Sequence, residues 1–303
     1  MSCVRSRPGF PEPRVSAVPA GDAGRAAAAV GLAALAGVQL GGWQRFELDA
    51  FLRRDGGRWS AFECAVIVPR QNGKSVGLLI RALAGALLFG ERLVIVSAHE
   101  WRTVVELFRA AVDLVTHSPL RRQVRSVRRA GGEEAIEFTN GARIRFLNRS
   151  RESARGFSID CVIMDEAHTV TAEQMQALLP TLSSRPDPQI IYAAHGPAPS
   201  AWHLSRMRQR VLTGDTARLA WLEWSADPDG DTEDVSAWLA ANPAVGEPFC
   251  GLTRARMGEE RLSLGFEGFR AERLACAPWP SEMDGAYGIF SPDDVRGLFG
   301  RSG

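Results

Sequence analysis

The sequence predicts an α/β protein built on a mostly parallel sheet flanked by helices, with a small helical appendage towards its C-terminal end. Three observations carry that expectation. Short apolar runs of strand length recur along the chain, segments of helical periodicity lie between them, and one run leads straight into Pro69-Arg70-Gln71-Asn72-Gly73-Lys74-Ser75.

Residues 1–25, rich in Pro, Arg, Ala and Gly without a period, read as a flexible leader. Helices are expected over 26–40 and 43–53, the second because Trp43, Phe46, Leu48, Phe51 and Leu52 fall near one face. A turn at 54–57 precedes a strand over 59–68 whose unbroken apolar end indicates cover on both faces. A helix over 76–88, stopped by Gly90, is followed by a buried strand over 92–98 and a helix over 100–117. Residues 134–147 alternate as a hairpin around Asn140-Gly141. A strand over 160–164, a helix over 174–182 and a strand over 189–194 complete the alternation that builds a parallel sheet. Beyond it come a basic helix over 201–213, a loop over 227–234 and short helices over 238–243 and 252–280. The expected division is a leader at 1–25, an α/β domain at 26–215, and a small linker and helical subdomain at 216–303.

Composition sets bounds. In 303 residues, 45% hydrophobic and 23% charged content excludes disorder as the main state. A net charge of +1 supplies no global basic field, so any nucleic-acid contact has to be a local patch. The five cysteines are scattered without a C-x-x-C pair, which argues against a disulfide framework and a zinc site and fits a reducing cytoplasm. Cys64 and Cys161 lie within apolar runs as small buried hydrophobes. The uncharged stretch 26–42 is mostly Ala and Gly, too mild for a signal or a membrane span, so no membrane partner is expected.

The chemistry concentrates in two places. A phosphate loop needs amides turned inward on an anion, a lysine for the β and γ phosphates, and a hydroxyl for magnesium; Gly73, Lys74 and Ser75 supply these, with Gln71 and Asn72 in the same loop. The usual earlier glycine is absent, its position being Val68. Downstream, Cys161-Val-Ile-Met-Asp165-Glu166 delivers two carboxylates at a strand's C-terminal end. Asp165 is suited to hold Mg2+ through water and Glu166 to deprotonate the attacking water. Together the motifs indicate ATP as ligand and a P-loop sheet of the RecA/ASCE type. Arg70 is placed to stabilise charge on the γ phosphate, and Arg155, before Gly156, is a second candidate offered to a neighbouring subunit. Trp43 and Gln44 are candidates for an adenine, with core packing of the indole as the alternative. The basic residues Arg206, Arg208 and Arg210, and those between Arg121 and Arg129, are candidate phosphate contacts or simply a solvated face.

The loop Pro69–Ser75, Val-Ile-Met-Asp165-Glu166-Ala-His168, Trp43-Gln44, and Val96-Ser-Ala-His-Glu100 resemble the large terminase subunit of tailed bacteriophages, over roughly residues 40–280. The resemblance implies an ATP-hydrolysing motor domain that drives double-stranded DNA into the prohead. It implies Lys74 and Ser75 on phosphates and magnesium, Arg70 as a loop-borne arginine finger and Glu166 as catalytic carboxylate. It further implies a homo-oligomeric ring, portal and small-subunit partners, and a bacterial host cytoplasm. A coupling motif would fall at Tyr192-Ala-Ala-His195, where His195 departs from the family's small hydroxyl residue. The family's RNase H-like nuclease is not expected here, because Asp284, Asp293 and Asp294 lack the strands such a metal site needs, so no cleavage by this chain is anticipated. Asp165-Glu-Ala-His168 also echoes a DEAD/DEAH-like helicase, the alternative, and a third class is a subunit that holds nucleotide without hydrolysing it.

Overall fold

The computed structural model describes residues 10–129, 131–149 and 157–280. In chain order the elements are β1 (Val15–Ala17), α1 (Gly24–Leu35), α2 (Gly42–Phe51), the small hairpin β2 (Arg54–Asp55) and β3 (Arg58–Trp59), β4 (Glu63–Ile67), α3 (Lys74–Leu88), β5 (Leu93–Ala98) and α4 (Trp101–Thr116). Next come β6 (Val124–Arg128), β7 (Ala135–Phe138), β8 (Arg143–Asn148), β9 (Cys161–Met164), α5 (Ala172–Ser183), β10 (Gln189–Ala194), α6 (Trp202–Thr213), β11 (Leu219–Glu223), α7 (Val235–Ala241) and α8 (Arg254–Arg273).

Among the described residues, nine strands form one sheet in the order β1-β11-β4-β10-β9-β5-β8-β7-β6. The six from β11 to β8 are parallel; β1 closes one edge and β7 with β6 the other, all antiparallel. The apolar runs read as doubly covered strands are so for a simple reason. Within β4, Cys64 and Val66 enter a core shared with α1 to α4, whereas Ala65 and Ile67 enter one shared with α5 and α6. Cys161 and Ile163 of β9 divide from Val162 and Met164 in the same way. Cys64 and Cys161 are free and fully enclosed, and burial pushes both thiols up.

Two boundaries differ from expectation. Residues 15–17, inside the expected leader, are a strand paired with β11, and Arg14 reaches buried Glu223 at 2.9 Å. β11 lies past the expected domain end at 215, yet it pairs in parallel with β4 over five residues. A single strand so far along the chain carries no local sign of its neighbours, β1 on one side and β4 on the other. After it, α7 and α8 gather a separate small core in which the Trp238 and Phe269 rings meet at 5.0 Å. Among the described residues, no helix is long and apolar enough to cross a membrane.

Candidate active site

The C-terminal ends of the parallel strands face one cleft, where open α/β sheets bind ligands. From β4 the chain reverses through two left-handed residues, Gln71 (φ 65°) and Gly73 (φ 84°), and enters α3 at Lys74. Gly73 is required twice over: its dihedral suits glycine, and a Cβ there would lie 3.1 Å from the Phe249 ring and 3.2 Å from Gln44 Nε2. No side chain caps α3, so its first amides remain available to an anion. Lys74 Nζ donates to the carbonyls of Val68 (2.8 Å) and Pro69 (3.3 Å), curled over its own loop. Burial lowers its pKa to about 8, with Asp165 the strongest opposing charge.

The other loop residues are tied down from far along the chain. Asn72, expected among the nucleotide contacts, is fully buried and ties the loop to the chain after α7. Its Nδ2 donates to Pro69 O (3.1 Å) and Asn242 Oδ1 (2.9 Å), and its Oδ1 accepts from Ala244 N (3.1 Å). Arg273 donates to Arg70 O (2.8 Å) and Gln71 Oε1 (2.9 Å) while paired with Glu260. Arg70 itself is half-exposed, its Nε 2.7 Å from Glu272. The helical unit expected as an appendage therefore grips the phosphate loop.

From α2, Gln44 accepts from Gly41 N (2.9 Å) and donates to Gly73 O (2.8 Å), so it braces the loop. Trp43, weighed as an adenine contact or a core residue, is fully enclosed and edge-on to Trp224 at 5.5 Å. Phe249, 42% exposed beside Gly73 and Gln44, is the aromatic that reaches the loop. One turn after Gln44, Glu47 is buried with Oε2 unpartnered, and burial raises its pKa to about 8 against the pull of Lys74.

Asp165 follows β9, nearly buried, its Oδ1 accepting from Glu166 N at 2.9 Å. Desolvation raises its pKa, and Lys74 is the leading influence the other way. A buried, incompletely compensated carboxylate suits a hard cation, and Ser75 in the first turn of α3 offers the hydroxyl such a Mg2+ takes. Glu166 sits in the left-handed region (φ 54°, ψ 40°). Arg149, at the end of β8, holds this turn from behind through Asp165 O (2.5 Å), Glu166 O (2.8 Å) and Thr169 Oγ1 (2.8 Å), and desolvation lowers its pKa to about 10. The Glu166 carboxylate points towards α4, accepting from Thr103 Oγ1 (3.0 Å), His99 N (3.1 Å) and Glu100 N (3.3 Å). His195, after β10, lies edge-on to His168 at 4.5 Å; burial lowers their pKa values to about 3 and 4, so both rings are neutral.

Arg70, Gln71, Lys74, Thr103, Asp165, Glu166, Ala194 and His195 line one cleft of about 370 Å³. Arg155 and Gly156, and Asp284, Asp293 and Asp294, lie outside the described residues. Thr103, Arg149, Asn242 and Arg273 escaped the sequence reading, because what identifies them is a long-range contact.

Residues 65–185 match the family model of the RNA cytidine acetyltransferase NAT10/TcmA, helicase domain. No curated protein matches the chain. Among solved structures, the large terminase of bacteriophage HK97 is similar at TM-score 0.68 and 19% identity, over 78% of this chain and 50% of that one. The large terminase ATPase domain of Thermus phage P74-26 is similar at TM-score 0.52 and 16% identity, over 80% of this chain and 96% of that one. The large terminase of another thermophilic bacteriophage, in complex with ATP-gamma-S, gives TM-score 0.51 and 12% identity, over 73% and 48%. The chain thus has the fold of terminase ATPase domains and spans about half the length of the HK97 protein.

Proposed function

We propose that this chain is the ATP-hydrolysing motor part of a phage large terminase, which drives double-stranded DNA into a prohead. The observation that carries the reading is the convergence of Lys74 and the Asp165-Glu166 pair on one cleft, though β10 separates their strands. The terminase-like fold supports it, and one structural neighbour holds ATP-gamma-S.

In this reading the α3 amides and Lys74 bind the β and γ phosphates. Ser75 and Asp165 are the residues that would hold Mg2+, which would supply charge neutralisation on the phosphate oxygens. Glu166 takes the proton from a water whose oxygen bonds to the γ phosphorus as the bond to the ADP oxygen breaks. Arg70, freed from Glu272, stabilises the charge spread over the transferring phosphoryl group. Gln71 and Asn72 shape the loop, and Gln44 fixes it from beneath. Phe249, not Trp43, is the ring accessible to a base.

Duplex DNA, a homo-oligomeric ring, the portal and the small subunit are the proposed partners, in the host cytoplasm. The basic candidates divide by what they already hold. Arg208 is paired with buried Glu223, and Arg210 with Glu63, which leaves Arg206 exposed on α6. Arg121 and Arg122 are exposed and are the better phosphate contacts, whereas Arg125, also exposed, already interacts with Glu137. A helicase reading is favoured by the family match over 65–185; it predicts strand displacement, which the motor reading does not.

The decisive test is magnesium-dependent ATP hydrolysis with and without duplex DNA, beside Lys74→Ala. DNA-stimulated turnover that falls on the order of 1000-fold in the variant is expected. Turnover that survives Lys74→Ala rejects the site.

A further inference from the structure

Adenine and guanine share a fused ring and differ along its polar edge, where one presents an amino donor and the other a carbonyl acceptor. A site that tells them apart has to present hydrogen-bonding groups of its own that are still unspent. At the N-terminal turn of α2, beside the phosphate loop, those groups are spent inside the protein. Gln44, at 1% exposure, accepts from Gly41 N (2.9 Å) and donates to Gly73 O (2.8 Å). So enclosed, its remaining lone pair and N–H are out of a ligand's reach. Gly42 N donates to Glu247 Oε1 (2.9 Å), and the carbonyl of buried Leu40 accepts from Arg45 Nε (3.0 Å).

Residues 247–250 pack on this turn. A Cβ on Gly41 would lie 3.0 Å from the Phe249 ring and one on Gly73 3.1 Å, so the ring bridges the α2 turn and the phosphate loop. Cys250 Sγ follows, 3.8 Å from Gln71 O. With Phe249 42% exposed, the segment offers a ligand a phenyl surface, which holds any base by stacking and reads none by hydrogen bonding. The polar groups left at the turn do not separate the purines. The second oxygen of Glu247 accepts from an amino group, which both carry, and the exposed Arg45 guanidinium donates to N7, which both also carry. We propose that the site takes purine nucleoside triphosphates as a class, ATP and GTP alike, and that Phe249 sets the preference for purines over the smaller pyrimidines.

The proposal rests on the reading of the cleft as a nucleotide site, and the test keeps the two apart. Magnesium-dependent hydrolysis of ATP, GTP, CTP and UTP is measured for the wild-type chain, Phe249→Ala and Phe249→Trp. Calorimetric titration with ADP, GDP and inorganic triphosphate runs beside it and decides the same ratios without turnover. ATP and GTP should agree within about fivefold in kcat/KM, with CTP and UTP roughly 10-fold lower through KM. Phe249→Ala should raise KM for both purine substrates about 10-fold and erase the preference, which Phe249→Trp should keep. Inorganic triphosphate has no base, so its affinity should change less than about twofold in Phe249→Ala, whereas a ring that only props the loop would weaken it as much as ADP. A preference between ATP and GTP, or between ADP and GDP, above about fivefold overturns the class specificity. An equal loss of triphosphate and ADP affinity in Phe249→Ala overturns the role of the ring. A wild-type chain that neither hydrolyses the four nor binds ADP or GDP overturns the nucleotide reading itself, and the proposal with it.

Discussion

The phosphate loop and the carboxylate turn lie on the same cleft, and each contains a non-glycine residue in the left-handed region, Gln71 and Glu166. Such a residue costs about 1 kcal/mol or more and persists only where its surroundings enforce it. The two are enforced differently. The carboxylate turn is held by neighbours on the sheet: Arg149 from the adjoining part of the fold and Thr169 three residues on. The loop is held by residues up to 203 positions away, Asn242 and Arg273, with Gln44 beneath. Chemistry at the carboxylates is therefore a property of the sheet, and the shape of the phosphate loop is a property of the whole described chain.

That contrast predicts separable defects. Arg149→Met removes the donor behind Glu166 and should lower kcat on the order of 100-fold, with nucleotide affinity kept within about twofold, because only the carboxylate turn relaxes. Steady-state kinetics beside nucleotide titration checks it, and an equal loss in both would erase the distinction. Arg273→Ala does the reverse: it strips two contacts from the loop and strands Glu260. It should raise KM for ATP about 10-fold with kcat nearly kept, and cost about 3 kcal/mol in urea unfolding.

The smallest effect concerns Glu47, under the loop. Its pKa is raised from 4.5 to about 8 on folding, so between those values the folded state binds more protons than the unfolded one. Stability should then fall as pH rises through that window and level off above it. Glu47→Gln should flatten the profile and gain about 1 kcal/mol at pH 8. Unfolding midpoints from pH 5 to 9 decide this; a wild-type profile that rises with pH would show that Glu47 is not the buried neutral acid.

The alternating strands, the loop and the acid pair were legible because each is written in a few adjacent residues: apolar runs, Gly73-Lys74-Ser75, Met164-Asp165-Glu166. The direction of the Glu166 side chain was not, since it depends on Thr103 arriving from a different strand-helix unit. Trp43 illustrates the opposite limit. Its sequence neighbourhood fits an adenine contact and a core position equally, and only Trp224, brought in after β11, shows that the core position is filled. β1 and β11 were missed because a strand's neighbour is not encoded in the strand.

The attachment of the C-terminal helices has a mechanical consequence. They leave the sheet from the end of β11, tied there by Trp224 N to Ile67 O and Ala226 N to Leu274 O, both 2.8 Å. Tension entering through them runs along β11 and loads its five register pairs with β4 in shear. Bonds so loaded share the force instead of peeling open one after another. The strand that receives the load continues directly into the phosphate loop, so a pull on the helices is felt first where the nucleotide would be held.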